Sequence, residues 1–390
     1  MVLVVSSPSP ASAWEYDLAE VTLVESGGLS DRTLAALDTF SAVLGVTPTV
    51  MQSGTIRMSA VWRHDHVVQS FAPGFAVPMA FTAVDPVTAA PLLGEGLVEA
   101  LETGIVMSER TASLRGAAAG DVITVESWDG GLHDLFVSAV LPDEAIGWSE
   151  LIFGTDTATR LGIHRPARAV MWGVNATVVE MLARAVLGEV PIRVSGAGSA
   201  GPPSLDGVLP TVLIKERFGE FSFRPTVGDG IEVDEEWFAA NIVTVDLPRL
   251  GRFRCHQTMM PYLEGALAEL EREGLAAEID TTDFQLAGGC YNARLARGGD
   301  LDRGFALSRH AWGAAIDFNP SSNGFGRGST LSQEFVGVLR AWGFAWGGSW
   351  RVPDPMHFEW RREPVEAARR DCITVSADPE PTVGATSCRP

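Results

Sequence analysis

The chain is almost without lysine: all but one of its 29 basic residues are arginine, and the exception is Lys215. Acidic residues number 49, which gives a formal charge of -20 and a pI near 4.7. Phosphate backbones are held by clustered Lys and Arg, so this balance argues against a nucleic-acid partner. Long apolar runs are missing too; none approaches the ~20 residues that a bilayer-spanning helix needs. Cysteine is scarce, and the four present (Cys255, Cys290, Cys372 and Cys388) lack any CxxC spacing. That pattern speaks against a thiolate metal site and for disulfides. The most local of the three connectivities pairs Cys255 with Cys290 and Cys372 with Cys388. What remains is ordinary globular composition, 46% hydrophobic and 20% charged, enough for two cores of typical domain size.

Texture divides the chain. Residues 1–13, MVLVVSSPSPASA, end in small residues like the cleavage site of a secretory signal, without its basic start. They read as the remnant of an export signal or as a disordered tail; with the even cysteine count, export is the better reading. An extracytoplasmic location, secreted or cell-wall associated, is therefore expected. Residues 14–194 read as a mixed α/β domain. A helix is expected over Asp31–Leu44 behind an amino cap at Ser30, and another over Ala176–Leu187. A strand at Val122–Ser127 turns through Asp129-Gly130-Gly131 into Leu135-Phe136-Val137, as in a hairpin. Residues 195–207 open with SGAGSAGPP, a Gly/Ser/Pro linker. Residues 208–365 form the second domain, and 366–390 a loosely packed tail.

In the second domain the periodicity predicts helices over Met260–Glu273, with Pro261 in the first turn and Gly274 at the end, and over Ser332–Trp342. Short strands are expected at Phe284–Ala287, Ala314–Phe318 and Met356–Trp360. The fold class that follows is α+β, with an antiparallel sheet and flanking helices in this part.

Two phrases carry chemistry. In Ser308-Arg309-His310-Ala311-Trp312-Gly313-Ala314-Ala315-Ile316-Asp317, Gly313 and Ile316 disfavour a continuous helix. A loop feeding a strand fits better, with His310 at its mouth and Asp317 along it. In Asp354-Pro355-Met356-His357-Phe358-Glu359-Trp360, strand alternation turns His357 and Glu359 to the face opposite Met356, Phe358 and Trp360. Two histidines and one carboxylate make a standard catalytic zinc set with a fourth position left for water. A further carboxylate that does not ligate must then manage the proton, and Asp354 is the candidate.

SRHAWGAAID resembles the SxHxxGxAxD signature of bacterial zinc D,D-carboxypeptidases and L-alanyl-D-glutamate peptidases. DPMHFEW resembles their second signature, an acidic residue three positions before the last histidine. The resemblance spans roughly residues 250–362. It implies the hedgehog/D-Ala-D-Ala peptidase fold, a zinc ion on His310, Asp317 and His357, and Asp354 as base. It also implies Ser308 near the substrate or metal shell, Glu359 orienting a ligand imidazole, and a peptidoglycan stem peptide as partner. In GGCYNAR, Arg294 sits where relatives bind substrate through an arginine, with Arg297 and Arg303 as competitors. The implied activity is D-alanyl-D-alanine carboxypeptidase. An L-alanyl-D-glutamate endopeptidase and a zinc-dependent binding module without catalysis are the alternatives.

Other eye-catching residues have plainer readings. His64 and His66 form a polar loop, His133 and His164 lie on the surface, and His256 makes a structural hydrogen bond. Trp312, Trp342, Trp346, Trp350 and Trp360 build core and cleft wall. The glycines of Gly324-Phe325-Gly326-Arg327-Gly328 lack the strand, helix and Lys of a phosphate loop and read as a mobile loop. Residues 105–125 faintly resemble the extracytoplasmic domain of macrolide-exporter-type permeases, which would imply a membrane or permease partner for the amino-terminal domain.

Overall fold

The structure is a computed structural model. It describes residues 20–25, 28–93, 95–127, 129–188, 192–196, 208–296, 306–350 and 353–362. The expectations for residues 1–13, most of the linker, Arg297, Arg303, Cys372, Cys388 and the 366–390 tail lie outside the described residues.

Ten strands form one sheet: β1 (Glu20–Glu25), β2 (Thr49–Arg63), β3 (His66–Ser70), β4 (Val77–Val84), β5 (Ile105–Ser108), β6 (Val122–Glu126), β7 (Leu132–Leu141), β8 (Leu151–Gly154), β9 (Arg168–Trp172) and β10 (Ile192–Gly196). The path β2-β4-β8-β5-β7-β6 returns to β2, closing a six-stranded barrel. Closure is possible because β2 is long and irregular: its register against β6 shifts between Met58 and Ala60, the local bend that a bulge supplies. Inward residues such as Met58, Phe81, Met107, Val125, Val137 and Phe153 fill the barrel. β10, β1 and β9 extend the sheet, and the helices Asp31–Leu44 and Ala176–Leu187 cover that extension. Both helices have the predicted bounds, and Ser30 caps the first by accepting from Thr33 N. The β6–β7 hairpin also forms as expected. The linker reading needs correction at its start, because Ser195 and Gly196 pair with Thr22 and Val21.

Among the described residues, those from 208 onward build three small antiparallel sheets: β11 (Phe223–Pro225) with β12 (Ile231–Val233), β13 (Ile242–Leu247) with β14 (Gly251–His256), and β15 (Ala315–Asp317), β17 (His357–Trp360) and β16 (Phe344–Trp346) in that order. A single hydrophobic cluster drawn from Ile214 to Trp360 joins them, and it shares no residue with the clusters of the barrel. Phe318, Phe335 and Phe358 meet edge-on at its centre. The helices Met260–Arg272 and Gln333–Ala341 stand where periodicity placed them. Phe284–Ala287 does not form a strand. It is the end of a helix, Thr281–Ala287, started by Asp280, whose carboxylate accepts from the backbone N–H groups of Thr282 and Asp283. A capping carboxylate of this kind decides the matter over a short apolar run.

The barrel meets the rest of the chain through buried charge. Lys215, with its side chain fully enclosed, lies 2.6 Å from Glu150 of the barrel and 2.7 Å from Glu220. Arg115 pairs with the same Glu220. Two cations and two anions balance, which is what allows such groups to leave water. Burial would raise the Glu220 carboxyl, but Lys215 and Arg115 more than reverse this and hold it at about 2.

Candidate metal and peptide site

His310 sits on a single 3-10 turn, Arg309–Trp312. Ser308 caps that turn, its hydroxyl accepting from His310 N at 3.3 Å. Gly313 ends it with φ 63°, and a Cβ there would lie 2.7 Å from His256 N, so only glycine fits. The chain then enters β15. Antiparallel pairing with β17 sets Asp317 directly opposite His357. The predicted alternation holds along β17: Phe358 enters the aromatic core, while His357 and Glu359 share the other face and bond to each other.

Three ligand atoms converge. Asp317 Oδ1 is 3.1 Å from His310 Nε2 and 3.2 Å from His357 Nδ1, and the two nitrogens are 3.2 Å apart. A tetrahedral ion with bonds of about 2.0–2.1 Å holds its ligand atoms about 3.3 Å apart, so this triangle fits zinc. The outward nitrogens fix the tautomers. His310 Nδ1 donates to the Cys290 carbonyl at 2.8 Å, and His357 Nε2 donates to Glu359 Oε2 at 3.1 Å. Each inward nitrogen faces Asp317 Oδ1 and, once it gives up any proton it holds there, offers a lone pair that can bind a cation. His310, Asp317 and His357 form a group that could hold a metal ion.

The charges around this centre are strongly coupled. Burial disfavours the Asp317 carboxylate, but His310 and His357 hold its pKa well below the usual range. Burial likewise opposes charge on His357, yet hydrogen bonds to Asp317 and Glu359 push it up to about 10. Glu359 is held low against its own burial, first by His357 and then by Arg309, whose Nε lies 3.8 Å away.

Asp354 stands in the turn before β17. Its backbone N–H donates to Gly347 O at 2.9 Å and its carbonyl accepts from His357 N at 3.0 Å. Asp354 and His357 line a cavity of about 300 Å³, together with Arg294, Ser308, Phe325 and Trp350. Arg294 is anchored through a backbone bridge to Gly230 and a side-chain bond to Leu295 O. The cysteine expected to bond Cys290 does so: Cys255 and Cys290 are linked, with Cα atoms 4.9 Å apart.

The remaining histidines do not join this group. His64 and His66 are exposed on the β2–β3 hairpin, His164 is exposed, and His133 contacts Ser127 at the β6–β7 turn. His256 is buried, donates to Phe218 O at 2.9 Å and accepts from Thr258 N, and burial lowers its pKa to about 4. Sequence reading missed Gly347. A Cβ there would lie 2.6 Å from Asp354 O and 3.3 Å from His357 Cβ, so the turn closes only over glycine. The Gly347-Gly348 doublet was the available signal. The Cys290 carbonyl and Arg309 were missed as well, since neither role belongs to a side-chain motif.

Comparison with known proteins gives limited matches. No curated protein matches the chain. A solved structure, the crystal structure of the extracellular domain of noncanonic ABC-type transporter YknZ from Gram-positive bacteria, is similar at 13% identity, covering 45% of this chain and 100% of that one, with a TM-score of 0.29. The family model described as D-alanyl-D-alanine carboxypeptidase matches residues 302–360. The segment that carries His310, Asp317, Asp354 and His357 is thus similar to that peptidase family.

Proposed function

We propose that this protein is a zinc metallopeptidase that removes the terminal D-alanine from peptidoglycan stem peptides. The observation that carries the reading is the triangle of His310, Asp317 and His357, with both imidazoles turned inward by acceptors behind them. Zinc bound there would polarise the scissile carbonyl and make water nucleophilic at neutral pH. Asp354, on the same cavity, takes the proton of the attacking water and passes it to the departing amine. Glu359 and the Cys290 carbonyl keep the imidazoles oriented throughout. Arg294, also on that cavity, supplies a guanidinium that can bond both oxygens of a terminal carboxylate. That cation favours a carboxypeptidase over an endopeptidase.

The reading assigns the chemistry to residues 208–365 and treats 14–194 as a separate folding unit, supported by hydrophobic clusters that do not mix. An extracytoplasmic location belongs to it, supported by the Cys255–Cys290 disulfide. The test is incubation of the purified protein with muropeptides, with and without chelator, and resolution of products by mass. Loss of one D-alanine that chelator abolishes is expected. Release of L-alanine from the stem would select the endopeptidase, and binding without cleavage would leave a recognition module.

A further inference from the structure

The cavity beside His357 is not enclosed by the carboxy-terminal residues alone. Thr55 of β2 and Pro78 of β4 belong to its lining along with Arg294, Asp354 and His357. Both barrel residues are buried, and the contacts that hold them are strong. The Pro78 carbonyl accepts from the Lys215 ammonium, which also binds Glu150 and Glu220. The second oxygen of Glu150 accepts from Ala80 N at 2.8 Å, next but one to Pro78 on the same strand. On β2, Arg57 donates to Phe223 O at 3.0 Å, next but one to Thr55. Ala76 and Phe223 form an antiparallel bridge alongside. The barrel is therefore gripped at the strands that reach the cavity.

We infer that the substrate cleft is composite, with the barrel as one wall, and that Thr55 and Pro78 restrict it to the free carboxyl end of a short, unbranched peptide. The inference rests on the peptidase reading above and adds a specificity element outside the segment that resembles the peptidase family. The cavity's roughly 300 Å³ is at the small end for ligand sites, room for a few small residues. A wall made of paired strands and fixed by buried ion pairs does not swing aside as a loop would. A side-chain cross-link adds bulk on the amino side of the scissile bond, where a linear chain end needs only the width of a single strand.

The test uses the full chain loaded with zinc and two diazirine-bearing peptides ending in D-alanyl-D-alanine, one short and linear, the other branched through a side-chain cross-link. Labelled residues are mapped by mass spectrometry while turnover is followed in parallel. Labelling of β2 or β4 near Thr55 and Pro78 is expected, with the branched peptide turned over at least roughly tenfold less efficiently. Thr55→Leu should raise KM for the linear peptide about tenfold while kcat stays within about twofold and zinc content is unchanged. If Thr55→Leu fails to fold, Thr55→Ala lowers that wall instead, and the disadvantage of the branched peptide should shrink, whereas an unchanged disadvantage would count against the barrel wall. Labels confined to residues 208–362 with normal turnover, or equal turnover of both peptides, would overturn the composite cleft and leave the peptidase standing. Barrel labelling without turnover would do the reverse.

Discussion

His310 donates its Nδ1 proton to the carbonyl of Cys290, the residue whose sulfur is bonded to Cys255. The disulfide thus fixes the acceptor that selects the His310 tautomer. Cys255→Ser, or mild reduction of the wild type, is expected to weaken zinc binding about 10–100-fold, the usual cost of losing an outer-shell partner. The same change should cost about 3–4 kcal/mol of stability, given the sequence separation of 35. Chelator competition and urea unfolding read the two effects separately. Unchanged zinc affinity in a folded, reduced protein would refute the link.

Asp354→Asn should retain zinc but lose roughly 10²–10⁴-fold in kcat, the range for a general acid–base residue. Metal content and turnover measured on the same preparation decide it. Turnover close to wild type would remove Asp354 from the mechanism.

Gly347→Ala tests the close approach behind the site. The added methyl meets the Asp354 carbonyl and the Cβ atoms of Asp354 and His357, so the turn must move. A stability loss of about 1–3 kcal/mol is expected from such overpacking. Turnover should fall by more than the unfolded fraction explains. Gly348 is a weaker control, because a Cβ there presses on the Trp346 ring and not on the site turn.

Lys215→Met leaves Glu150 and Glu220 buried with Arg115 as the cation still paired to Glu220. Breaking a buried pair from one side costs about 3–5 kcal/mol. The double variant with Glu150→Gln should recover part of it. Thermal unfolding of the three proteins compares them directly, and a single variant as stable as wild type would contradict the fully buried cluster.

Acid should unfold the protein in two ranges. His256 is kept neutral by burial, with its pKa lowered from 6.5 to about 4. Between those values the unfolded chain binds the extra proton, so stability falls as pH falls through that window. Glu220, lowered from 4.5 to about 2, adds stability that is fully present above 4.5 and lost as pH drops toward 2. Acidification also relieves the self-repulsion of a chain with charge -20, which acts in the opposite direction. The clean measurement is therefore the difference between wild type and His256→Phe. That difference should shrink between about pH 6.5 and 4, and a constant difference would reject the assignment.

How much of this was legible depends on whether the signal is local. Ser30 and the apolar stripe behind it set a helix to the residue, because cap and periodicity lie in one window. The convergence of His310, Asp317 and His357 was readable because each histidine comes with its own flanking phrase, and strand alternation sent His357 and Glu359 to one face. Phe284–Ala287 was misread because four residues between turns have no period, and the decisive Asp280 cap lies outside them. Barrel closure was beyond reach. It depends on β2 pairing with β6 through a register shift, a choice made by tertiary packing. The Glu150–Lys215 contact spans 65 positions and leaves no pattern in either neighbourhood.

A protein whose one lysine is sealed between a barrel and its neighbour offers amine-directed chemistry no lysine target while folded. Acylating reagents would reach Lys215 only when that seam opens. The rate of its modification would then act as a clock on separation at the seam, read at a single lysine side chain.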